Sequence, residues 1–294
     1  MSVLSEELSL QSPAKVNLLL SVHGPRDDGF HNLTSLVVAL DFGDVLRVGI
    51  AETADTLVST DPDLPTGPDN LILRAAAAFR EVTGLNCYFS FYLEKNIPVG
   101  AGLGGGSGNA AIALQAMNRL CGEPLKKAAL STLAAQIGSD CCFFLEGRPA
   151  LLSGRGDRVE LLSGAIADRL TGRKVLIFKP DFSVSTAWAY GQLKTGGNYE
   201  AESLAKDRLE NFYKGGAFEA LLSNTFEPII SRKFIAIRVL LDELRSMGVP
   251  CLMSGSGSCC LALPGVSGLS VDAIKAKVKV DWGESVFFVE TFIC

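Results

Sequence analysis

Ser107 stands in PVGAGLGGGSGNAA, residues 98–111, where six glycines fall between Gly100 and Gly108. Glycine takes positive φ and lets the backbone approach a ligand closely, so consecutive amides can converge on an anion. Where the glycines end, NAAIALQAMNRL puts Ala110, Ala113, Leu114, Met117 and Leu120 at helical spacing. The first turn of a helix has free N–H groups and a partial positive charge. Strand, glycine loop and helix start together make a phosphate cradle, and Ser107 adds a hydroxyl for a phosphate oxygen or a metal. The alternative is a flexible linker, but linkers are seldom flanked so tightly by a strand and an apolar helix. Other polar residues with chemical potential are Lys15 and Asn17 in SPAKVNLLL and Asp140 in QIGSD. Period two puts Lys15, Asn17 and Leu19 on one strand face, opposite Ala14, Val16, Leu18 and Leu20. Asp140 follows the Gly138 helix stop, where aspartate suits a helix cap as well as a site.

The elements that must position these residues follow from pattern. PAKVNLLLSV and the aromatic CYFSFYLEKNI read as strands. Apolar segments surround LTSLVVAL and DVLRVGI, and NLILRAAAAFREV reads as a helix ending before Gly84. A further helix is expected from about Pro124 to Ile137, strands over 149–161 around a GRGD turn, and another strand at KVLIFKP. Residues 191–216 are polar with a GG pair at each end, which reads as a mobile insertion. A long amphipathic helix fits Pro228 to Met247, and MSGSGSCCLAL is a second glycine–serine loop entering a strand. Without regular βαβ alternation, the class is α+β in two parts, 1–160 and 161–294.

Composition narrows the function. Across 294 residues the hydrophobic fraction is 48%, enough for a sizeable core, and the net charge of −5 argues against a surface built to grip nucleic acid. No segment reaches the ~18 apolar residues of a membrane span. The start, MSVLSEELSLQSPAK, has Glu6 and Glu7 and no signal core, so the expected location is cytoplasmic, with no membrane partner. The eight cysteines form no CxxC pair and only two histidines are present, so buried, reduced thiols are expected rather than zinc. The Walker pattern fails because no lysine follows the glycines. Gly100, Gly102 and Gly105 satisfy GxGxxG, but another helix stands where a dinucleotide fold requires an acidic-ended strand.

PVGAGLGGGSGNAA, SPAKVNLLL and MSGSGSCCLAL, in their order along the chain, resemble the three motifs of the GHMP small-molecule kinases. Within that superfamily, SPAKVNL, RDDGFHNL and QIGSDCCFFLEGRPALLSGRGD look most like the 4-diphosphocytidyl-2-C-methyl-D-erythritol kinase family. The resemblance implies a two-domain fold, with an N-terminal ATP/phosphate-binding domain, a C-terminal substrate-side domain and the active site in the cleft between them. It implies ATP and Mg²⁺ as cofactors and a cytidine diphosphate-linked methylerythritol as the small-molecule substrate, phosphorylated on its 2-hydroxyl by a monomer or weak homodimer. It makes Asp140 the base that takes the hydroxyl proton, with Lys15 steadying the charge that develops. Pro98, Gly100, Gly102, Leu103, Gly104, Gly105, Gly106, Ser107, Gly108 and Asn109 become the nucleotide loop, and Lys95 a neighbour of the adenine. Gly108 stands where the family usually has a second serine, so one hydroxyl is missing from that loop. Asn17, Phe30, His31 and Tyr190 become substrate contacts. Phe30 replaces the usual tyrosine, keeping the ring, and Tyr190 aligns with a second aromatic wall. The resemblance names no protein ligand for the metal. The rival readings are another GHMP kinase, acting on homoserine or mevalonate, and a non-catalytic binding module. The RDDGFH turn favours the cytidyl substrate, and retention of Lys15 and Asp140 argues against the binding module.

Overall fold

A computed structural model describes residues 7–265 and 268–294, so Glu6 and the residues before it lie outside the described chain. The chain forms two compact units whose segments alternate. Met1–Ala14, Phe42–Val99 and Gly104–Gly147 make the first, and Lys15–Asp41, Gly100–Leu103 and Arg148–Cys294 the second. Two long strands, β1 (Leu8–Pro25) and β2 (His31–Ala51), run from one unit into the other. The two apolar segments read around LTSLVVAL and DVLRVGI are therefore one strand.

In the first unit β3 (Thr56–Ser59) is followed by α1 (Leu71–Thr83), which Asn70 caps by accepting the Ile72 N–H at 2.9 Å. Next comes β4 (Tyr88–Glu94), paired in parallel with β3 and antiparallel with the Val45–Ala51 half of β2. It buries Phe89, Phe91 and Leu93 at alternate positions, as period two requires. The glycine run joins β4 to α2 (Gly105–Leu120), and α3 (Lys127–Ile137) and α4 (Cys141–Glu146) complete the unit. Helix α3 starts three residues later than the pattern suggests.

The last segment of the second unit begins with the hairpin β5 (Ala150–Ser153) and β6 (Arg158–Leu161), with β5 on β2 at Ser35–Val37. After α5 (Gly164–Asp168), β7 (Lys174–Lys179), α6 (Thr186–Gly196), α7 (Glu202–Tyr213) and β8 (Ser223–Asn224) follow, β8 pairing in parallel with β1. The remaining elements are α8 (Glu227–Lys233), α9 (Ile235–Ser246), β9 (Cys251–Met253), β10 (Cys260–Ala262), α10 (Val271–Trp282) and β11 (Phe287–Phe292). A four-stranded sheet of order β11-β7-β10-β9 packs Leu176, Phe178 and Met253 against Ile237, Leu241 and Leu244 of α9 and Ile274 of α10.

Two expectations are corrected. Residues 191–216, read as a mobile insertion, hold the end of α6 and all of α7, and Ala205, Leu209 and Phe212 are buried. The helix expected over 228–247 is two helices, because Phe234 leaves helical geometry (φ −105°, ψ 74°) and its ring stacks on Phe182 at 4.7 Å. Of the cysteines, five are buried, Cys87 and Cys121 are half-buried, and Cys294 is exposed. Burial pushes the Cys141 and Cys259 thiols up to about 12.

Candidate active site

In the first unit, β4 delivers the chain to the glycine run and Asp44 holds the junction. Asp44 is fully buried. Its Oδ1 accepts the N–H groups of Asn96 and Ile97, each at 2.7 Å, and Oδ2 accepts Asn109 Nδ2 at 3.0 Å from the first turn of α2. Lys95 Nζ bonds both carboxylate oxygens, at 3.0 and 2.8 Å, and donates to the Ile97 carbonyl. The three donors of Lys95 are thus spent on fixing the entry to the loop. Gly104, at φ 73°, turns the chain into α2, and the first helical bond runs from Gly108 N–H to Gly104 O at 2.8 Å. The amides of Gly105, Gly106 and Ser107 precede that bond, so they are the free donors of the helix start. Gly106 is exposed and Gly105 and Ser107 half-buried, which leaves this turn open to a phosphate.

Gly108 is buried against the first strand. A Cβ there would lie 3.0 Å from Ser12 Oγ and 3.3 Å from the Pro13 carbonyl, so a side chain would have to push the strand away. Ser12 Oγ is itself fully buried and has no hydrogen-bond partner among the described residues. The connection from α3 to α4 packs on the same helix start. A Cβ at Gly138 would lie 3.3 Å from Cys141 Sγ and 3.8 Å from Ser107 Oγ. Asp140 stands in this connection, half-buried, and its side chain makes no capping bond to α4.

In the second unit the three glycine and lysine motifs meet. Lys15 N–H donates to Leu103 O at 2.9 Å and Cys259 N–H to Ala101 O at 3.2 Å. Gly102 has φ 79°, and a Cβ on it would lie 2.8 Å from the Ser254 carbonyl and 3.1 Å from that of Gly257. Gly255 has φ 60°, and its Cβ would lie 3.0 Å from Gly102 O. Only glycine fits either place. Lys15 Nζ donates to Asn17 Oδ1 at 2.7 Å, Asn17 Nδ2 to Ser35 Oγ at 2.8 Å, and Ser35 Oγ to Leu19 O at 2.7 Å. This buried relay fixes the ammonium, and it engages both ends of the Asn17 amide.

The predicted base-binding residues also lie in the second unit. Phe30 is exposed in a turn held by Asp28, which accepts the Phe30 N–H at 3.1 Å and Arg26 Nε at 3.1 Å. The Arg155 guanidinium lies 4.9 Å from the Phe30 ring centre. His31 and Tyr190 come together, ring centres 4.8 Å apart, and Tyr190 in turn packs edge-on against Phe226 at 4.9 Å. Burial, with Lys194 adding to it, holds the His31 pKa below its usual value. Pattern missed Asp44, an aspartate between apolar runs, and Tyr199, whose hydroxyl bonds His31 Nε2 at 3.3 Å. The second was hidden in the segment read as an insertion.

The class these features fit is that of the small-molecule kinases: an open glycine-rich helix start in the first unit, and a buried Lys–Asn relay with a glycine interlock in the second. Residues 70–148 match the GHMP kinases N terminal domain. The 4-diphosphocytidyl-2-C-methyl-D-erythritol kinase of Synechococcus sp. (strain CC9902) is 38% identical over 273 residues, covering 88% of each chain. A crystal structure of 4-(cytidine 5'-diphospho)-2C-methyl-D-erythritol kinase matches with TM-score 0.73 and 30% identity, over 97% of this chain and 99% of that one. The homoserine kinase from Cytophaga hutchinsonii shares the fold at TM-score 0.74 and 17% identity, over 99% of this chain and 96% of that one. The chain belongs to the 4-diphosphocytidyl-2-C-methyl-D-erythritol kinase family.

Proposed function

We propose that this kinase transfers the γ-phosphoryl group of ATP to the 2-hydroxyl of 4-diphosphocytidyl-2-C-methyl-D-erythritol, in the non-mevalonate route to isoprenoid precursors. The observation that carries the reading is the cradle at the start of α2, with the Asp140 connection packed beside Ser107. Phosphoryl transfer needs the phosphates held, their charge neutralised and the acceptor oxygen aimed and deprotonated. The loop from Pro98 to Asn109 holds the nucleotide, with Gly104 to Ser107 aiming amides at its phosphates and Lys95 fixing the entry through Asp44. Asp140 takes the hydroxyl proton, and Lys15, steadied by Asn17, offsets the negative charge of the transferring group. Mg²⁺ bound to the triphosphate neutralises its oxygens. Ser107 is the loop hydroxyl suited to contact such an ion, which takes most of its ligands from phosphate and water. Phe30 stacks on the cytosine, with His31 and Tyr190 completing the pocket. We assign the nucleotide role to residues 1–160 and the substrate side to 161–294, with Asn17, Phe30 and His31 as acceptor contacts contributed by the first stretch, in a cytoplasmic enzyme active as a monomer or weak homodimer.

The test is ATP-dependent phosphorylation across cytidyl, homoserine and mevalonate acceptors, followed by ADP release. Turnover of the cytidyl acceptor alone is expected. Preference for homoserine or mevalonate would overturn the substrate, and turnover of none would favour a binding module.

A further inference from the structure

We infer that Tyr199 is a positioning residue for base recognition, its hydroxyl fixing the proton of His31 on Nδ1 and so making the enzyme choose cytosine over uracil. The inference rests on the reading of Phe30, His31 and Tyr190 as the base pocket. Two phenol rings lie near His31, Tyr190 at 4.8 Å and Tyr199 at 5.8 Å, tilted by 34° and 35°. Its Nε2 is taken by the Tyr199 hydroxyl, and Nδ1 has no protein hydrogen bond among the described residues. Burial and Lys194 favour the neutral ring, which has one donor and one acceptor nitrogen. The Tyr199 phenol can donate to Nε2 or accept from it; with the phenol as donor, the proton of the neutral ring sits on Nδ1. Nδ1–H is then the group His31 presents to a ligand.

That donor matches cytosine, whose N3 is an unprotonated acceptor, and opposes uracil, whose N3 carries a hydrogen. A buried donor left facing another donor loses its bond and its hydration together, which makes such a contact discriminating.

Tyr199 is also held in place as a free loop residue would not be. The N–H of its neighbour Glu200 donates to Val22 O at 2.9 Å, and the Glu200 carbonyl is hydrogen-bonded to His23 Nδ1 at 3.0 Å. The Glu200 carboxylate accepts Arg208 Nη1 at 2.6 Å and the Ser21 hydroxyl. The phenol therefore meets His31 from a segment tied to β1 on one side and α7 on the other. This is how an outer partner orients an imidazole: it sets the tautomer through the nitrogen the ligand does not use.

The experiment is steady-state kinetics of the full-length enzyme and of Tyr199→Phe, with the cytidyl acceptor, its uridine analogue and ATP each varied. Tyr199→Phe keeps the ring and removes only the hydroxyl. It is expected to raise the acceptor KM about tenfold, the loss of one buried hydrogen bond, and to shrink the cytidyl-to-uridyl preference by a similar factor. KM for ATP stays at the wild-type value. In a His31→Ala background, Tyr199→Phe adds nothing further. If Phe30→Ala and His31→Ala raise the acceptor KM while Tyr199→Phe changes neither KM nor preference, the role of Tyr199 is overturned and the pocket stands. If Phe30→Ala and His31→Ala leave the acceptor KM unchanged, the pocket reading itself fails and this inference with it. Equal losses toward ATP and acceptor in Tyr199→Phe would make the hydroxyl structural.

Discussion

Asp140 enters helix α4 with φ −74° and ψ −15°, already helical, and its side chain bonds none of that helix's free N–H groups. A capping residue has extended backbone and accepts from the second or third amide, so Asp140 is not placed there to cap. A Cβ at Gly138 in the connection it belongs to would lie 3.8 Å from Ser107 Oγ, which puts a carboxylate-bearing turn near the start of α2. Asp140→Asn keeps the shape and removes the proton acceptor. We expect kcat to fall about 10²- to 10⁴-fold with calorimetric ATP affinity close to wild type. Wild-type kcat in this variant would remove Asp140 as the base. Residues such as Gly102 and Lys15 were legible because their constraint is local: positive φ in one case, strand period in the other. Asp140 was only half legible, since cap and site use the same residue type and differ in where the side chain bonds.

Among the elements, the junction of β4, its following loop and α2 depends on Asp44. This carboxylate gathers two backbone amides, the Lys95 ammonium and the Asn109 amide in the protein interior, with the Lys95 side chain only 6% exposed. Breaking one partner of a buried pair leaves the other charge without compensation, which typically costs about 3–5 kcal/mol. Asp44→Ala and Lys95→Met are each expected to lose about that much in urea unfolding, and the double variant less than the sum. Additive losses would show that the two act separately. Pattern did not reveal Asp44, because its partners lie 51 to 65 residues on and no spacing rule connects them. The break at Phe234 escaped for a related reason. Apolar residues continue at helical spacing through it, and the ring contact with Phe182 that draws it out is a tertiary event. The 197–200 segment looked loose because glycine and asparagine dominate it, while the bonds that hold it come from β1 and α7.

Across the whole molecule, the alternation of segments means that cutting at residue 160 would separate Lys15–Asp41 from the rest of the second unit, breaking the β1–β8 pairing and leaving β5 on β2 in the N-terminal piece. Both units contain part of β1 and part of β2, so neither can lose its strands without disturbing the other. Scanning calorimetry is expected to show one transition with equal calorimetric and van't Hoff enthalpies. Two resolved transitions would mean the units unfold independently. The same threading bears on how the chain is made. Asn17 emerges early from the ribosome, yet its backbone amide bonds the hydroxyl of Ser254, 237 residues later. At ~5–20 residues per second that delay is roughly 10–50 s. The first unit has all its segments once Gly147 is out, whereas the apolar strand through Val16, Leu18 and Leu20 must wait for the C-terminal third before its last partners exist. During synthesis this strand, made 237 residues before its Ser254 partner, waits long for its full set of contacts and so needs shelter by a chaperone.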